Sequence, residues 1–272
     1  MNRAGPPPPA PEPLHGEVFD AHCHLDAMGL DLAGIPAAMA QARAVGVVRV
    51  VTVGDTVASS AWCVDAARSH PDVYAAVAVH PTEVAGLDDA GYDRLGALAA
   101  DPRVVAIGET GLDNHWDRTA PALQEEHFRR HIQLAKDAGK PLMIHDREAH
   151  EAVLRILREE GAPPAGVVFH AFSGDAAMAR ECADLGYLLS FPGVVSFRNA
   201  PALRDAAAEA PAESILVETD APFLTPHPHR GRPNAPYLIP LTLRVLAEVR
   251  GADEGELCAT ISANGARVFG WD

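Results

Sequence analysis

Cysteine is sparse in this chain. Cys23, Cys63, Cys182 and Cys258 lie far apart with no CxxC pair, which argues against zinc-ribbon, thioredoxin-like and disulfide-scaffold readings and for a reducing, cytoplasmic setting. Long apolar runs are missing too: none reaches the ~18 residues of a membrane-spanning helix. Basic charge is outnumbered, with 22 Lys+Arg against 37 Asp+Glu and a formal net charge of -15. Such a surface repels nucleic acid and anionic membrane, so a polyanionic ligand would need a local cationic patch or a metal to recruit it. Aromatic residues make up only 6% of the chain, too few for a long basic, aromatic groove. There is no GxSxG elbow for a serine nucleophile and no HExxH zinc helix.

The segment Met1 to Pro13 is rich in proline and lacks the apolar core of a signal peptide. It is expected to be a disordered, solvated tail, leaving 14–272 as one folded domain. From Val18 onward, short β-branched runs alternate with longer helical stretches. Strands are predicted at Val47 to Val53, Val73 to Val79, Val104 to Gly108, Pro141 to Ile144, Val167 to Phe169, Tyr187 to Phe191 and Ile215 to Glu218. The best-patterned helix is Pro121 to Ala138, with Phe128, Ile132 and Ala135 at helical spacing. About eight β/α repeats without hairpin turns imply an α/β fold with an all-parallel sheet. A single (β/α)8 TIM barrel fits the count and the length of 272 residues better than an open doubly wound sheet.

The first strand ends in Asp20-Ala21-His22-Cys23-His24. Strand alternation sends His22 and His24 to one face and Cys23 to the other. Alone, this HxH pair is as readily two hydrogen-bonded core histidines as a metal site. Glu109, His145, His170 and Asp220 also fall at or just past strand ends, however, and in a barrel those ends meet at one mouth. Four imidazoles and two carboxylates suit Zn or Mn, with Fe as a further option. Six ligands exceed what one hydrolytic ion needs, and two ions sharing a carboxylate accommodate them.

The segments Asp20 to Asp26, Val79-His80-Pro81, Ala106 to Asp113, Ile144 to Ala149, Phe169 to Gly174, Val217 to Pro222 and Pro226 to Asn234 together resemble the TatD family of metal-dependent deoxyribonucleases, within the amidohydrolase-like barrels. The resemblance implies two divalent ions (Zn, Mn, Mg or Fe). His22, His24 and Asp220 would hold one, His145 and His170 the other, with Glu109 bridging. Asp220 would also accept the proton of the attacking water. Beside these, His80 matches the family position and either contacts phosphate or protonates the leaving group, or is structural; Arg147 and Arg230 are either phosphate clamps or solvated surface arginines; and Glu218, on the strand face of Asp220, is a candidate to orient a metal-bound histidine. His127, His131 and His150 are read as packing or surface residues. Where many relatives carry an aromatic residue after Gly-Leu-Asp, this chain has Asn114-His115-Trp116-Asp117-Arg118, and Trp116 offers a face for stacking on a base.

Three functions follow. The first is an exonuclease-like deoxyribonuclease acting on single-stranded DNA or strand ends. In the second, the same two-ion site hydrolyses a small phosphate ester, lactone or amide. The third is a non-catalytic binding protein.

Overall fold

The computed structural model describes residues 5–271. Eight parallel strands run in the order β1 to β8: β1 Val18–Cys23, β2 Val47–Val53, β3 Val73–Val77, β4 Val104–Asp113, β5 Leu142–Arg147, β6 Val167–Phe169, β7 Leu188–Phe191 and β8 Ile215–Val217. Most strand residues are buried, as expected for a parallel sheet packed on both faces. Nine helices, α1 Ile35–Arg43, α2 Val57–Ser69, α3 Asp89–Ala99, α4 Pro121–Ala138, α5 His150–Glu160, α6 Ala176–Asp184, α7 Pro201–Glu209, α8 Ile239–Arg250 and α9 Glu254–Phe269, alternate with or follow the strands among the described residues. The open-sheet alternative is set aside by the seam between first and last strands. Cys23 bridges Ala221 in parallel register, His24 N donates to Ala221 O at 2.7 Å, and Asp220 N donates to His22 O at 2.9 Å.

Local chemistry accounts for the elements. Thr56 caps α2 by accepting from Ser59 N, and Ser59 returns the bond, which satisfies two otherwise unpaired N–H groups. In α4, Gln124, Phe128, His131, Ile132 and Ala135 are buried, the stripe of a helix lying on a sheet. Helix α4 stops at Gly139 in the left-handed conformation. Two boundaries differ from expectation in ways that affect the mouth. Strand β4 continues to Asp113 and β5 to Arg147 because the two stay paired, Gly111 with His145 and Asp113 with Arg147. Gly111 permits that approach: its φ is +141°, and a Cβ there would lie 2.1 Å from the His145 carbonyl oxygen.

The proline-rich segment also departs from the expected free tail, residues 1–4 of which lie outside the described residues. From Pro6 onward it lies strapped to the barrel. Arg232 donates to the Pro6 and Pro7 carbonyls at 2.8 to 3.0 Å, Tyr237 to Pro8 O at 2.7 Å, and Arg244 to Glu12 O and Pro13 O at 2.9 and 3.0 Å. Proline has no N–H, so an extended proline run leaves its carbonyls free to accept such bonds. None of the described helices is long and apolar enough to cross a membrane.

Candidate metal centre

The seam between β1 and β8 assembles the first half of the site. The buried Asp20 carboxylate accepts from Thr219 N at 2.9 Å, from the Thr219 hydroxyl and from His22 N at 3.2 Å. This locks the segment carrying Asp220 against the strand carrying His22. Asp220 itself has a φ of +54°, a strained setting for most residues that aspartate tolerates better than most. Cys23 turns away, as alternation requires, with its thiol 3.4 Å from Val51 O.

Around this seam the polar side chains converge. His22 Nε2 and His24 Nε2 are 3.1 Å apart. Asp220 Oδ1 lies 3.8 and 3.5 Å from them, and Glu109 Oε1 lies 3.9 and 3.6 Å away. The other oxygen of Glu109 serves a separate pair: Oε2 is 3.3 Å from His145 Nδ1 and 3.1 Å from His170 Nε2. One carboxylate therefore faces two pairs of imidazoles, one pair through each oxygen.

The outward nitrogens show what the inward ones can offer. His24 Nδ1 donates to Val53 O at 2.9 Å, and His22 Nδ1 sits 3.2 Å from the Met143 sulfur, a weak acceptor. His145 Nε2 pairs with Asp113 Oδ2 at 2.9 Å, and His170 Nδ1 lies 2.9 Å from Glu218 Oε1. With a proton on each outward nitrogen, each neutral ring turns a lone pair toward Glu109, and the pocket holds acceptors facing acceptors without a donor among them. That set requires positive charge. Burial opposes charge on His24, yet Asp55, Asp220 and Glu109 outweigh it and raise the imidazole to about 10. Burial likewise opposes charge on His170, but Glu218 and Glu109 carry it well above the ordinary histidine range. Protons are the poorer substitute for cations bound directly by the inward nitrogens, so the residues fit divalent metal ions. Potential donor atoms of His22, His24 and Glu109, of His22, His170 and Glu218, and of His80, Glu109 and His145 each lie within 4.8 Å of one another.

Comparison with known proteins agrees with this geometry. The profile of the family described as TatD-related DNase matches residues 19–270. The chain belongs to the TatD family. A protein of Mycobacterium tuberculosis named as the uncharacterized metal-dependent hydrolase TatD is 52% identical over 262 residues, covering 93% of this chain and 99% of that one. A Cronobacter sakazakii protein named as the 3'-5' ssDNA/RNA exonuclease TatD is 36% identical over 236 residues, covering 85% and 90%. Among solved structures, a TatD homologue from Escherichia coli k12 superposes with a TM-score of 0.89 at 27% identity, covering 94% of this chain and 98% of that one. The chain is a metal-dependent hydrolase of TatD type.

Other residues of this TatD-type site fall into place around the centre. His80 Nδ1 accepts from Thr82 N at 3.2 Å, which leaves Nε2 to carry the ring proton. Burial and the neighbouring His145 push this imidazole down to about 3. Its ring lies 4.3 Å from that of His145, so it stands among the site residues. Glu218 accepts from Ala171 N at 2.8 Å, and its Oε1 lies 2.9 Å from His170 Nδ1. Arg147 is exposed at the end of β5 beside His145. Arg230 is not brought to the centre with the others; its guanidinium lies 4.6 Å over the Phe197 ring. His127 and His131 are buried packing residues, and His150 pairs with Asp146 at 2.7 Å.

Two carboxylates were missed by sequence reasoning. Asp113 fixes the outward nitrogen of His145; burial would raise it, but the bond from His145 and the N–H groups of Trp116 and His115 hold it at about 2. Counting by twos from Glu109 along β4 would have found it. Asp55 lies 3.4 Å from His24 Nδ1, and burial raises its carboxyl to about 7 against the pull of His24. It stands two residues past β2, where the rule that picked out the other strand ends applies equally.

Proposed function

We propose that this TatD-family hydrolase cleaves phosphodiester bonds of DNA, releasing nucleotides from single-stranded ends. The observation that carries the two-ion reading is Glu109, whose Oε1 faces His22 and His24 while Oε2 faces His145 and His170. His22, His24 and Asp220 would hold one ion, His145 and His170 the second, and Glu109 both. Bound divalent ions lower the pKa of water and offset charge on phosphate oxygens. The chain's own residues do the rest. Asp220 turns Oδ1 toward His22 and His24, leaving Oδ2 to take the proton of the attacking water. His80, held by Thr82 with its proton on Nε2, donates to a phosphate oxygen or to the leaving group. Arg147 clamps the phosphate with its planar fork; we favour it over Arg230, which is spent on Phe197.

The nucleic-acid substrate is supported by the name of the Cronobacter relative. Four free, buried thiols suit a reducing cytoplasm. Hydrolysis of a small phosphate ester, lactone or amide by the same centre is the second reading. Purified, metal-loaded protein assayed on end-labelled single-stranded DNA beside small esters separates the two. We expect stepwise shortening of the DNA, and an Asp220→Asn variant that keeps its fold by circular dichroism while losing about 10²–10⁴-fold in rate. Turnover of small esters alone would transfer the proposal to the second reading, and full activity in the variant would remove Asp220 as the proton acceptor.

A further inference from the structure

The metal centre does not lie at the bottom of a single pit. A cavity of about 310 Å³ opens on one side of it and one of about 440 Å³ on the other, and His145, Arg147, His170 and Asp220 line both. The sheet order explains the division. Residues following β2, β3 and β4, among them Asp55, Thr82, Trp116 and Arg118, border the first; residues from β5 to α7, among them Ser173, Pro192, Val194 and Leu203, border the second. After β8 the chain sends Phe223 to the first cavity and the next residue, Leu224, to the second. Either space falls within the roughly 300–1,000 Å³ of sites that enclose one small ligand.

Their walls differ in a way that assigns them. Large exposed apolar side chains are rare among the described residues: Leu32, Trp116, Leu185 and Phe223. Two of these four, at 44% and 40% exposure, sit on the rim of the same cavity. The Arg118 guanidinium, 3.5 Å from Glu83 Oε1, lies 5.6 Å over the Trp116 ring, so a planar cation already rests on one face of that ring. Exposed aromatic faces of this kind stack on unpaired bases without reading their identity. The second cavity has no such rim. Pro192, Val194, Leu203 and Leu224 close it with apolar surface, and the carboxylates beside them are already paired, Asp146 with His150 at 2.7 Å and Glu148 with His115 at 3.0 Å. An apolar-walled space of this size suits the uncharged body of a nucleoside.

We infer that the substrate straddles the centre: the terminal nucleoside enters the cavity walled by Val194, Leu203 and Leu224, the scissile phosphate rests at the junction on Arg147, and the next base stacks on Trp116 and Phe223. This rests on the nucleic-acid reading and narrows it to an unpaired strand carrying a base on each side of the bond. Water adds at phosphorus, the P–O bond to one sugar breaks, and that sugar oxygen leaves as a hydroxyl with the proton passed through the site. With a net charge of -15, the remaining surface gives a long strand no further hold. Substrates longer than a few nucleotides should gain little.

The test uses full-length, metal-loaded enzyme with thymidine oligonucleotides of two to ten residues and with the same oligonucleotides made abasic at the terminal or the adjacent position. Either abasic change should lower kcat/KM, by about 10-fold at the stacking position, and kcat/KM should level off within the first few lengths. Trp116→Ala and Phe223→Ala should raise KM on intact oligonucleotide and erase the penalty of the adjacent abasic site while keeping that of the terminal one. In an Asp220→Asn background, oligonucleotide should quench tryptophan fluorescence, and the quench should vanish on adding Trp116→Phe. Val194→Trp, which fills the second cavity, should depress release of a full nucleotide at least 10-fold relative to hydrolysis of a small phosphodiester. DNA cleavage that ignores both abasic positions and both aromatic substitutions would overturn the straddling substrate alone. Failure to cleave any nucleic acid would overturn the reading beneath it.

Discussion

His131 shows how a buried residue beside the site can be structural and still sensitive to pH. Its Nδ1 donates to His127 O at 2.8 Å and its Nε2 accepts from Val79 N at 3.3 Å, so the neutral ring satisfies both partners and a second proton would strip Val79 N–H of its acceptor. Burial pushes the imidazole down to about 4, whereas the unfolded chain takes up that proton near 6.5. The stabilising contribution is therefore whole above about pH 6.5, shrinks as the pH falls through this interval and is gone below about 4, a total of roughly 3 kcal/mol. Urea denaturation of metal-stripped protein at pH 7 and pH 4.5 measures it. His131→Asn retains an acceptor for Val79 N–H, and its acid loss should be smaller than the wild type's by most of that amount. Equal losses in the two proteins would place the acid sensitivity elsewhere. The sequence showed only that no zinc motif accompanied His127 and His131; that His131 props the backbone just before His80 needed the approach of α4 to the segment that follows β3.

Among the elements, the N-terminal strap departs most from what its composition suggests. A proline run outside the matched family segment of residues 19–270 reads as solvated tail, since it has no apolar face to bury. Its carbonyls nevertheless hold Arg232, Tyr237 and Arg244, and Arg232 lies in the loop that follows β8. Deleting residues 1–13 should cost about 2 kcal/mol, given ~1 kcal/mol or less for each partly exposed bond, and so lower Tm by roughly 4–8 °C. Hydrogen exchange in residues 226–234 should rise more than in β1 to β8; exchange that rises evenly across the barrel would mean the strap supports the whole fold and not this loop. The element boundaries tell a similar story. β-branched runs such as Val47 to Val53 were legible because side chains buried on both faces leave a continuous apolar signature. The final residues of β4 and β5 and the short helix α7 were not, because Gly111 and Asp113 belong to a strand only through their neighbour and Ala-rich segments carry little periodic contrast.

For the molecule as a whole, closing the barrel collects acceptors that repel one another. His22, His24, Glu109 and Asp220 meet at 3.1 to 3.9 Å, so the folded chain without ions carries strain that cations relieve. Ions at about 1,000 times their dissociation constant would add about 4 kcal/mol, and chelation should lower Tm by roughly 10 °C. Calorimetry with and without Zn or Mn, alongside metal content, gives the measurement. In Glu109→Gln the loss of a charge shared by both pairs of imidazoles should reduce metal content and shrink the chelation effect together. A chelation effect unchanged in that variant would mean the ions bind without Glu109.

The amino-acid order alone determined the parallel α/β architecture, through the alternation of β-branched runs with helical stretches, and it placed His22, His24, Glu109, His145, His170 and Asp220 in or just past the carboxyl-terminal half of a strand. What it could not carry is distance across the ring. Only the seam, with Asp20 bonded to Thr219 and His24 to Ala221, brings the two ends of the chain together. Only the curvature of the closed sheet turns Glu109 so that one oxygen serves each pair of histidines and leaves a cavity on either side. Strand periodicity is local and is therefore written in neighbouring residues; closure depends on contacts between residues about two hundred positions apart, and those exist only once the chain has folded.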